Sequence, residues 1–141
     1  MSINPYLFFD GRCEEAIHFY RDALGAEVEA MMRFKDSPAT EACTSALPEN
    51  GEKIMHATLR IGNTQLMASD GECKGQAKFS GFSLALSVTD EAQAEKLFRA
   101  LEEGGQVQMP LAETFFSPKF GMVADRFGVN WMIMVTPSGE E

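Results

Sequence analysis

Few side chains in this sequence could carry acid–base chemistry near neutral pH, because its 141 residues include only two histidines, His18 and His56. His56 begins a strand-like segment, where its imidazole could act as a general base or as a polar anchor for a ligand. The alternative is a strand histidine that is hydrogen-bonded to a neighbouring carbonyl. His18 falls on the polar side of a helical segment and is expected to be solvated. A catalytic site built from several histidines is therefore excluded.

Other candidate groups lack the partners that their chemistry requires. Asp70 and Asp125 could form an acid–base pair, but both stand beside predicted turns, where carboxylates commonly fix loop hydrogen bonds. Ser83 and Ser87 have no histidine and aspartate arranged as a triad, so nucleophilic catalysis is not predicted. Cys13 lies on the apolar stripe of a helical segment and is expected to be an inert core residue.

Composition is typical of a folded globular protein, with 45% hydrophobic and 23% charged residues. The net charge of -9 opposes binding to nucleic acid, which needs clustered lysine and arginine. No apolar run reaches the roughly 18 residues that a membrane-spanning helix needs. The three cysteines are odd in number, widely spaced and without a CxxC pair. We therefore expect a cytoplasmic protein with free thiols, no nucleic-acid partner and no membrane partner.

The predicted secondary-structure elements that must position these groups form an internal repeat. Each copy has the order strand, helix, strand, strand, strand. Apolar residues recur at three- and four-residue steps in both helical segments, whereas the strand segments alternate. A copy of about half the chain is too small to bury a good core alone, so the two copies are expected to share a core or cleft. The first strand and helix are predicted over residues 3–9 and 13–24 in the first copy, and over residues 79–88 and 91–103 in the second.

The remaining segments complete a single predicted domain over residues 1–141, with module one at about 1–70 and module two at about 79–136. A linker is predicted at about 70–78, where glycine and mixed charge interrupt the pattern. Residues 35–53 and 110–120 are predicted loops, and long ordered loops often serve as lids or binding loops.

A set of motifs spread over almost the whole chain resembles the vicinal-oxygen-chelate superfamily, and more specifically its PhnB-like branch. The superfamily includes glyoxalase I, extradiol dioxygenases and the bleomycin and fosfomycin resistance proteins. The resemblance implies an α+β fold in which two βαβββ modules with curled mixed sheets surround a shared cavity, commonly in a dimer. The motifs are NPYLFFDG at 4–11, HA at 56–57, RIG at 60–62, SGF at 80–82, ETFF at 113–116 and FGMVAD with FGVNWM over 120–132.

The same resemblance provides a test for metal and cofactor. In metal-dependent members, four ligands come from the first and last strands of the two modules, and the matching residues here are Pro5, Leu66, Ser83 and Met132. None offers the imidazole, thiolate or carboxylate that divalent metals prefer. The branch has also carried a demethylubiquinone methyltransferase label, but the sequence has no glycine-rich strand-to-helix turn for a nucleotide-like cofactor. We therefore expect no metal and no cofactor.

The resulting hypothesis is a homodimeric protein that binds a small, partly apolar molecule in a metal-free cavity. The alternative is a glyoxalase- or dioxygenase-like enzyme, either with metal ligands at other positions or with His56 as base. Trp131 is expected in the core, whereas Glu113, Phe115 and Phe116 could form a lid, close the barrel end or pack in a dimer contact. The predicted cavity lining consists of Leu7, Phe9, His56, Leu66, Ser83, Ala85, Met132 and Met134.

Overall fold

The computed structural model describes residues 1, 3–36, 52–71 and 77–136 of the chain. These residues divide into two compact units, Met1–Ala77 and Lys78–Glu141. In the described part of each unit, one α-helix packs on a four-stranded mixed sheet. The α+β pattern of strand, helix, strand, strand, strand is therefore confirmed in both copies. None of the described helices is long and apolar enough to cross a membrane.

The sheet of the first unit has the strand order β1-β4-β3-β2. The pair β1 and β4 is parallel, and the other neighbouring strands are antiparallel. A short 3₁₀ helix, Phe34–Asp36, follows β2. The elements are β1 (Tyr6–Phe8), α1 (Cys13–Leu24), β2 (Glu27–Arg33), β3 (Ile54–Ile61) and β4 (Thr64–Ser69).

Helix α1 has the predicted bounds because its apolar stripe and its end signals agree. Its buried residues recur at three- and four-residue steps along the chain, so one side of the helix packs against the sheet. Gly25 ends the helix in the left-handed region at φ 70°, which glycine adopts at little cost, and its N–H donates to Arg21 O. The buried residues of this stripe are Cys13, Ala16, Ile17 and Tyr20.

The N-terminus of α1 is capped by a distant residue, Asp70, because Arg12 at the N-cap position forms no side-chain cap. Asp70 is 1% exposed, and its Oδ1 accepts hydrogen bonds from Gly11 N at 2.7 Å and Cys13 N at 2.8 Å. Its Oδ2 accepts from Ile54 N at 2.8 Å. One buried carboxylate therefore joins the start of α1, the start of β3 and the end of β4.

The second unit repeats the topology with the strand order β5-β8-β7-β6, in which β5 and β8 are parallel. Asp90 caps α2 locally, since its Oδ1 accepts from Ala92 N at 3.2 Å. Asp125 is buried in the final hairpin and accepts from Phe127 N, Val129 N and the Trp131 indole N–H. The elements are β5 (Leu84–Val88), α2 (Glu91–Glu102), β6 (Gln106–Ala112), β7 (Phe120–Ala124) and β8 (Asn130–Val135).

The structure corrects several predicted element bounds. Strands β1 and β5 begin later than predicted, at Tyr6 and Leu84. Strand β6 continues through Pro110, which the sequence placed in a loop, because β6 is an edge strand and its register shifts between Met109 and Ala112. Most of the predicted loop at 35–53 and of the predicted linker at 70–78 lies outside the described residues.

The substitution Asp70→Asn is expected to lower the free energy of unfolding by about 2–3 kcal/mol. The side-chain NH₂ group of asparagine is a donor, and it would face a backbone N–H where a carboxylate oxygen of Asp70 now accepts. Urea unfolding measures this loss. Asp90→Asn is the matched control and should change stability by less than about 0.5 kcal/mol, because asparagine is an equally good N-cap. Equal losses in the two variants would contradict the role assigned to Asp70.

Candidate functional site

In the first unit, one face of the sheet is covered by α1 and the other face is open. Along β1 the exposure alternates, with Leu7 buried and with Tyr6 and Phe8 exposed by 39% and 52%. Phe9 continues the buried side and contacts the ring of Tyr20 in α1. Because successive side chains of a strand point to opposite faces, Tyr6 and Phe8 share the face away from the helix.

Strand pairing brings further side chains to the same open face. Met67 is paired with Tyr6 on one side and with Thr58 on the other. His56 lies two residues before Thr58 on β3 and is paired with Met32 on the edge strand β2. We call this group the open-face cluster, and it consists of Tyr6, Phe8, Met32, His56, Thr58 and Met67.

The imidazole of His56 is hydrogen-bonded at both ring nitrogens. Its Nδ1 lies 3.0 Å from Tyr6 Oη, and its Nε2 lies 3.2 Å from Thr58 Oγ1. A neutral imidazole has one N–H donor and one acceptor nitrogen, whereas each hydroxyl can donate or accept. The two hydroxyl groups can therefore satisfy either tautomer of His56.

Tyr6 stands between the imidazole and a second aromatic ring. Its ring stacks on Phe8, with centroids 5.0 Å apart and an interplanar angle of 28°, and its centroid lies 5.7 Å from that of His56. Burial raises the pKa of the Tyr6 phenol above its ordinary value, with a smaller electrostatic contribution from Cys13. The phenol therefore stays protonated near neutral pH and can donate a hydrogen bond.

Three residues predicted to line the cavity do not lie on the open face. Leu7, Phe9 and Leu66 are buried on the helix-covered face, with exposures of 3%, 2% and 2%. The prediction placed them one residue out of register, and such a slip exchanges the two faces of a strand. The segment from Tyr6 to Phe9 is apolar throughout, so its alternation could not reveal which side meets the helix.

In the second unit, the predicted faces of β5 and β8 agree with the structure. Trp131 is 2% exposed and is paired with Leu84, so the prediction of a core tryptophan is confirmed. Met132 and Met134 are partly exposed on the opposite face, where Ala85 is paired with Met132. Ser83 lies just before β5, two residues from Ala85. A ligand-binding role for these residues remains a prediction.

The loop between β6 and β7 carries the predicted lid residues. Thr114 Oγ1 accepts hydrogen bonds from the backbone N–H groups of Phe116 and Ser117, which fixes the turn. Phe116 packs edge-to-face on Phe120 and on Phe115, with centroids 5.1 Å apart in both pairs. Phe115 is 99% exposed, and Glu113 is also exposed. The loop is thus ordered by its own hydrogen bonds, and its role as a lid remains a prediction.

The open-face residues do not fit the metal centre that the superfamily implies. In the first unit, correcting the register by one residue moves the expected ligand positions from Pro5 and Leu66 to Tyr6 and Met67, which are paired. In the second unit the faces were predicted correctly, so the positions stay Ser83 and Met132. None is an imidazole, a thiolate or a carboxylate. Across residues 1, 3–36, 52–71 and 77–136, no group of three His, Cys, Asp or Glu side chains could hold a metal ion.

Cys13 is free and buried in the first unit. Burial raises the pKa of its thiol well above the ordinary value, and the charges of Asp70 and Glu14 raise it further. Because the thiolate is the nucleophilic form of cysteine, the protonated Cys13 is suited to packing rather than to catalysis.

The raised pKa of Tyr6 predicts its behaviour at alkaline pH. The difference in phenolate absorbance between the wild type and Tyr6→Phe should show a midpoint above 10.0, the ordinary value for tyrosine. Because the folded state favours the neutral phenol, its contribution to stability is present below pH 10 and is lost as the pH rises through the folded-state pKa. A midpoint at or below the ordinary value would contradict the partly desolvated position of Tyr6.

Comparison with known proteins gives consistent matches over nearly the full chain. A family model described as 3-demethylubiquinone-9 3-methyltransferase matches residues 1–134. Protein YjdN of Escherichia coli (strain K12) is 37% identical over 140 residues, which are 96% of this chain and 95% of that protein. The crystal structure of protein PA1353 from Pseudomonas aeruginosa has a TM-score of 0.84 at 45% identity, covering 98% of this chain and 99% of that one.

Two further structures connect the sequence family to the fold. A Bacillus cereus protein described as a putative 3-demethylubiquinone-9 3-methyltransferase, PhnB protein, has a TM-score of 0.78 at 25% identity, over 96% of this chain and 100% of that one. A glyoxylase/bleomycin resistance protein/dioxygenase domain from Frankia sp. EAN1pec has a TM-score of 0.67 at 13% identity, over 95% and 94%. The chain therefore belongs to the PhnB-like 3-demethylubiquinone-9 3-methyltransferase family and has a glyoxalase/bleomycin-resistance-like fold.

Proposed function

We propose that this protein binds a small, partly apolar molecule at the open-face cluster of the first unit. The observation that carries the proposal is the contrast between the two faces of β1, because Leu7 is buried while Tyr6 and Phe8 remain exposed. Exposed apolar groups clustered on one face often mark binding sites. The hydroxyls of Tyr6 and Thr58 and the imidazole of His56 supply the few polar groups that orient a ligand in such a site.

The second unit offers a comparable surface on its own sheet, and we include it in the proposal. Ala85, Met132 and Met134 lie on the face of β5 and β8 opposite the buried Trp131. Flexible thioethers adapt to apolar guests of different shapes. We assign Ser83 to the polar edge of this surface, and Glu113, Phe115 and Phe116 to a lid.

The name of the family refers to methyl transfer, but the proposal for this chain is binding. Each described sheet contains a single parallel pair of strands, which is β1 with β4 in the first unit and β5 with β8 in the second. Residues 3–36, 52–71 and 77–136 contain no doubly wound parallel sheet with a glycine-rich βα turn, the arrangement that binds nucleotide-like cofactors. Both ring nitrogens of His56 are already hydrogen-bonded, so direct proton abstraction by the imidazole requires breaking one of these bonds.

The proposal also includes a homodimer and a cytoplasmic location. Strand β2 is a sheet edge, and Val28 and Met31 on it are 40% and 43% exposed, which favours association with another chain. The free thiol of Cys13 suits a reducing compartment. Light scattering at micromolar concentration would contradict the homodimer if it gave the mass of one chain, and cell fractionation tests the location.

A thermal-shift screen of metabolites and antibiotics tests ligand binding, because a ligand that binds only the folded protein raises its melting temperature. Compounds that do so should shift the methyl NMR signals of Met32 and Met67 more than that of the fully exposed Met1. Phe8→Ala should weaken their binding about tenfold, a loss of about 1.4 kcal/mol of apolar contact.

The matched control is Phe82→Ala, because Phe82 is 43% exposed but precedes β5 in the second unit. It should leave the affinity of these compounds unchanged. If the compounds bound both variants equally and left the Met32 and Met67 signals unmoved, binding at the open-face cluster would be wrong.

A further inference from the structure

The hydrogen-bonded series Tyr6–His56–Thr58 has one end that a ligand can reach. The contact between Tyr6 Oη and His56 Nδ1 is exposed, whereas the contact between Thr58 Oγ1 and His56 Nε2 is partly buried. A molecule that contacts the open face can therefore reach the phenol oxygen of Tyr6 more readily than the hydroxyl of Thr58.

This series can offer a ligand either a hydrogen-bond acceptor or a hydrogen-bond donor at Tyr6 Oη. With the proton of His56 on Nε2, the imidazole donates to Thr58 Oγ1, and the Tyr6 O–H donates to Nδ1, so that Tyr6 Oη is free to accept from the ligand. With the proton on Nδ1, the imidazole donates to Tyr6 Oη, Thr58 donates to Nε2, and the Tyr6 O–H is free to donate to the ligand. Both ring nitrogens of His56 keep a hydrogen-bond partner in either state, and the protein keeps the same net charge.

The apolar neighbours of Tyr6 favour an aromatic guest. The Phe8 ring is 52% exposed and stacks on Tyr6, and Met67 is paired with Tyr6 on the same face. Contacts between aromatic rings, and between methionine sulfur and a ring, add stabilisation beyond the burial of apolar area. A saturated molecule of equal size gains only the burial term.

The charges around the cluster disfavour an anion. At one end, Arg60 is paired with Glu27 at 2.5 Å and with Glu29 at 3.6 Å, so this cation is already neutralised. At the other end, the side chains of Asp10 and Phe8 both lie beside Gly71. A Cβ atom placed on Gly71 would be 3.3 Å from Asp10 Oδ1 and 3.1 Å from Phe8 Cδ1, so a carboxylate lies near the Phe8 ring. The whole chain also carries a net charge of -9.

We infer that the ligand of the open-face cluster is a planar aromatic molecule without negative charge, which forms one hydrogen bond to Tyr6 Oη, and that the tautomer of His56 adapts to the direction of this bond. The inference rests on the proposed function and names the chemical class of the ligand. The site accepts a ligand atom of either type, a donor such as a ring N–H or an acceptor such as a ring nitrogen.

Four small probes and the full chain test this inference by NMR at mildly alkaline pH, where imidazole groups are normally neutral. Indole is a planar donor, quinoline is a planar acceptor, 2-naphthoate is planar but anionic, and trans-2-decalol is neutral but saturated. Binding is followed at the methyl signals of Met32 and Met67, and the tautomer is read from the ¹⁵N signals of His56.

Indole and quinoline are expected to bind at least about tenfold more tightly than 2-naphthoate and trans-2-decalol. The anion is repelled by the negative charge around the cluster, and the saturated alcohol cannot form an aromatic contact with Phe8. Indole should select the tautomer with the proton on Nε2, and quinoline the tautomer with the proton on Nδ1. Tyr6→Phe should weaken both about fivefold, the effect of one net hydrogen bond, and should abolish the difference in tautomer.

Some results would overturn the inference while leaving the proposed function intact. One such result is that 2-naphthoate or trans-2-decalol binds the cluster as tightly as indole and quinoline, or more tightly. A second is that indole and quinoline select the same tautomer of His56. A third is that screened compounds bind the cluster whereas neither indole nor quinoline does. If no probe and no screened compound moved the methionine signals of the cluster, both the inference and the proposed function would be wrong.

Discussion

The first unit depends on the buried carboxylate of Asp70 and its three hydrogen bonds to backbone N–H groups. Two of these bonds come from around the start of α1, at Gly11 and Cys13, and the third comes from Ile54, which begins β3. Hydrogen bonds to a charged acceptor contribute about 1.5–3 kcal/mol each, and a buried N–H without an acceptor is costly. The same carboxylate caps the start of α1 and joins the start of β3 to the end of β4. Strand β1 leads into the helix start that Asp70 caps, and its parallel pairing with β4 places Leu7 towards the helix and Tyr6 on the same face as His56.

The two units solve the same structural problem with different residues. In the second unit, α2 receives its N-cap from Asp90, which directly precedes it, so no carboxylate is required after the last strand. Thr136 occupies that place and donates from its backbone N–H to Val88 O. The buried aspartate of this unit, Asp125, instead organises the β7–β8 hairpin around the indole N–H of Trp131. The repeat therefore preserves the topology, while the polar contacts that stabilise each copy have diverged.

Much of the fold could be predicted from the sequence, because its helices and hairpins carry local signals. The apolar stripe and Gly25 define α1, and in β8 a buried Trp131 alternates with partly exposed methionines. The face of β1 could not be predicted in this way, because its residues are apolar on both sides and parallel pairing with β4 sets the register. The contact between His56 and Tyr6 could not be predicted either, since Tyr6 is 50 positions away in the sequence.

The central claim is that adjacent residues of β1 serve different purposes, with Leu7 supporting the fold and Phe8 belonging to the binding face. Urea unfolding of Leu7→Ala and Phe8→Ala tests this claim most directly. The account predicts that Leu7→Ala lowers the free energy of unfolding by about 2–4 kcal/mol, because it leaves a cavity beneath α1. Phe8→Ala should lower it by about 1 kcal/mol or less, since the Phe8 ring is half exposed. Equal losses, or a larger loss for Phe8→Ala, would contradict the assignment of the two faces.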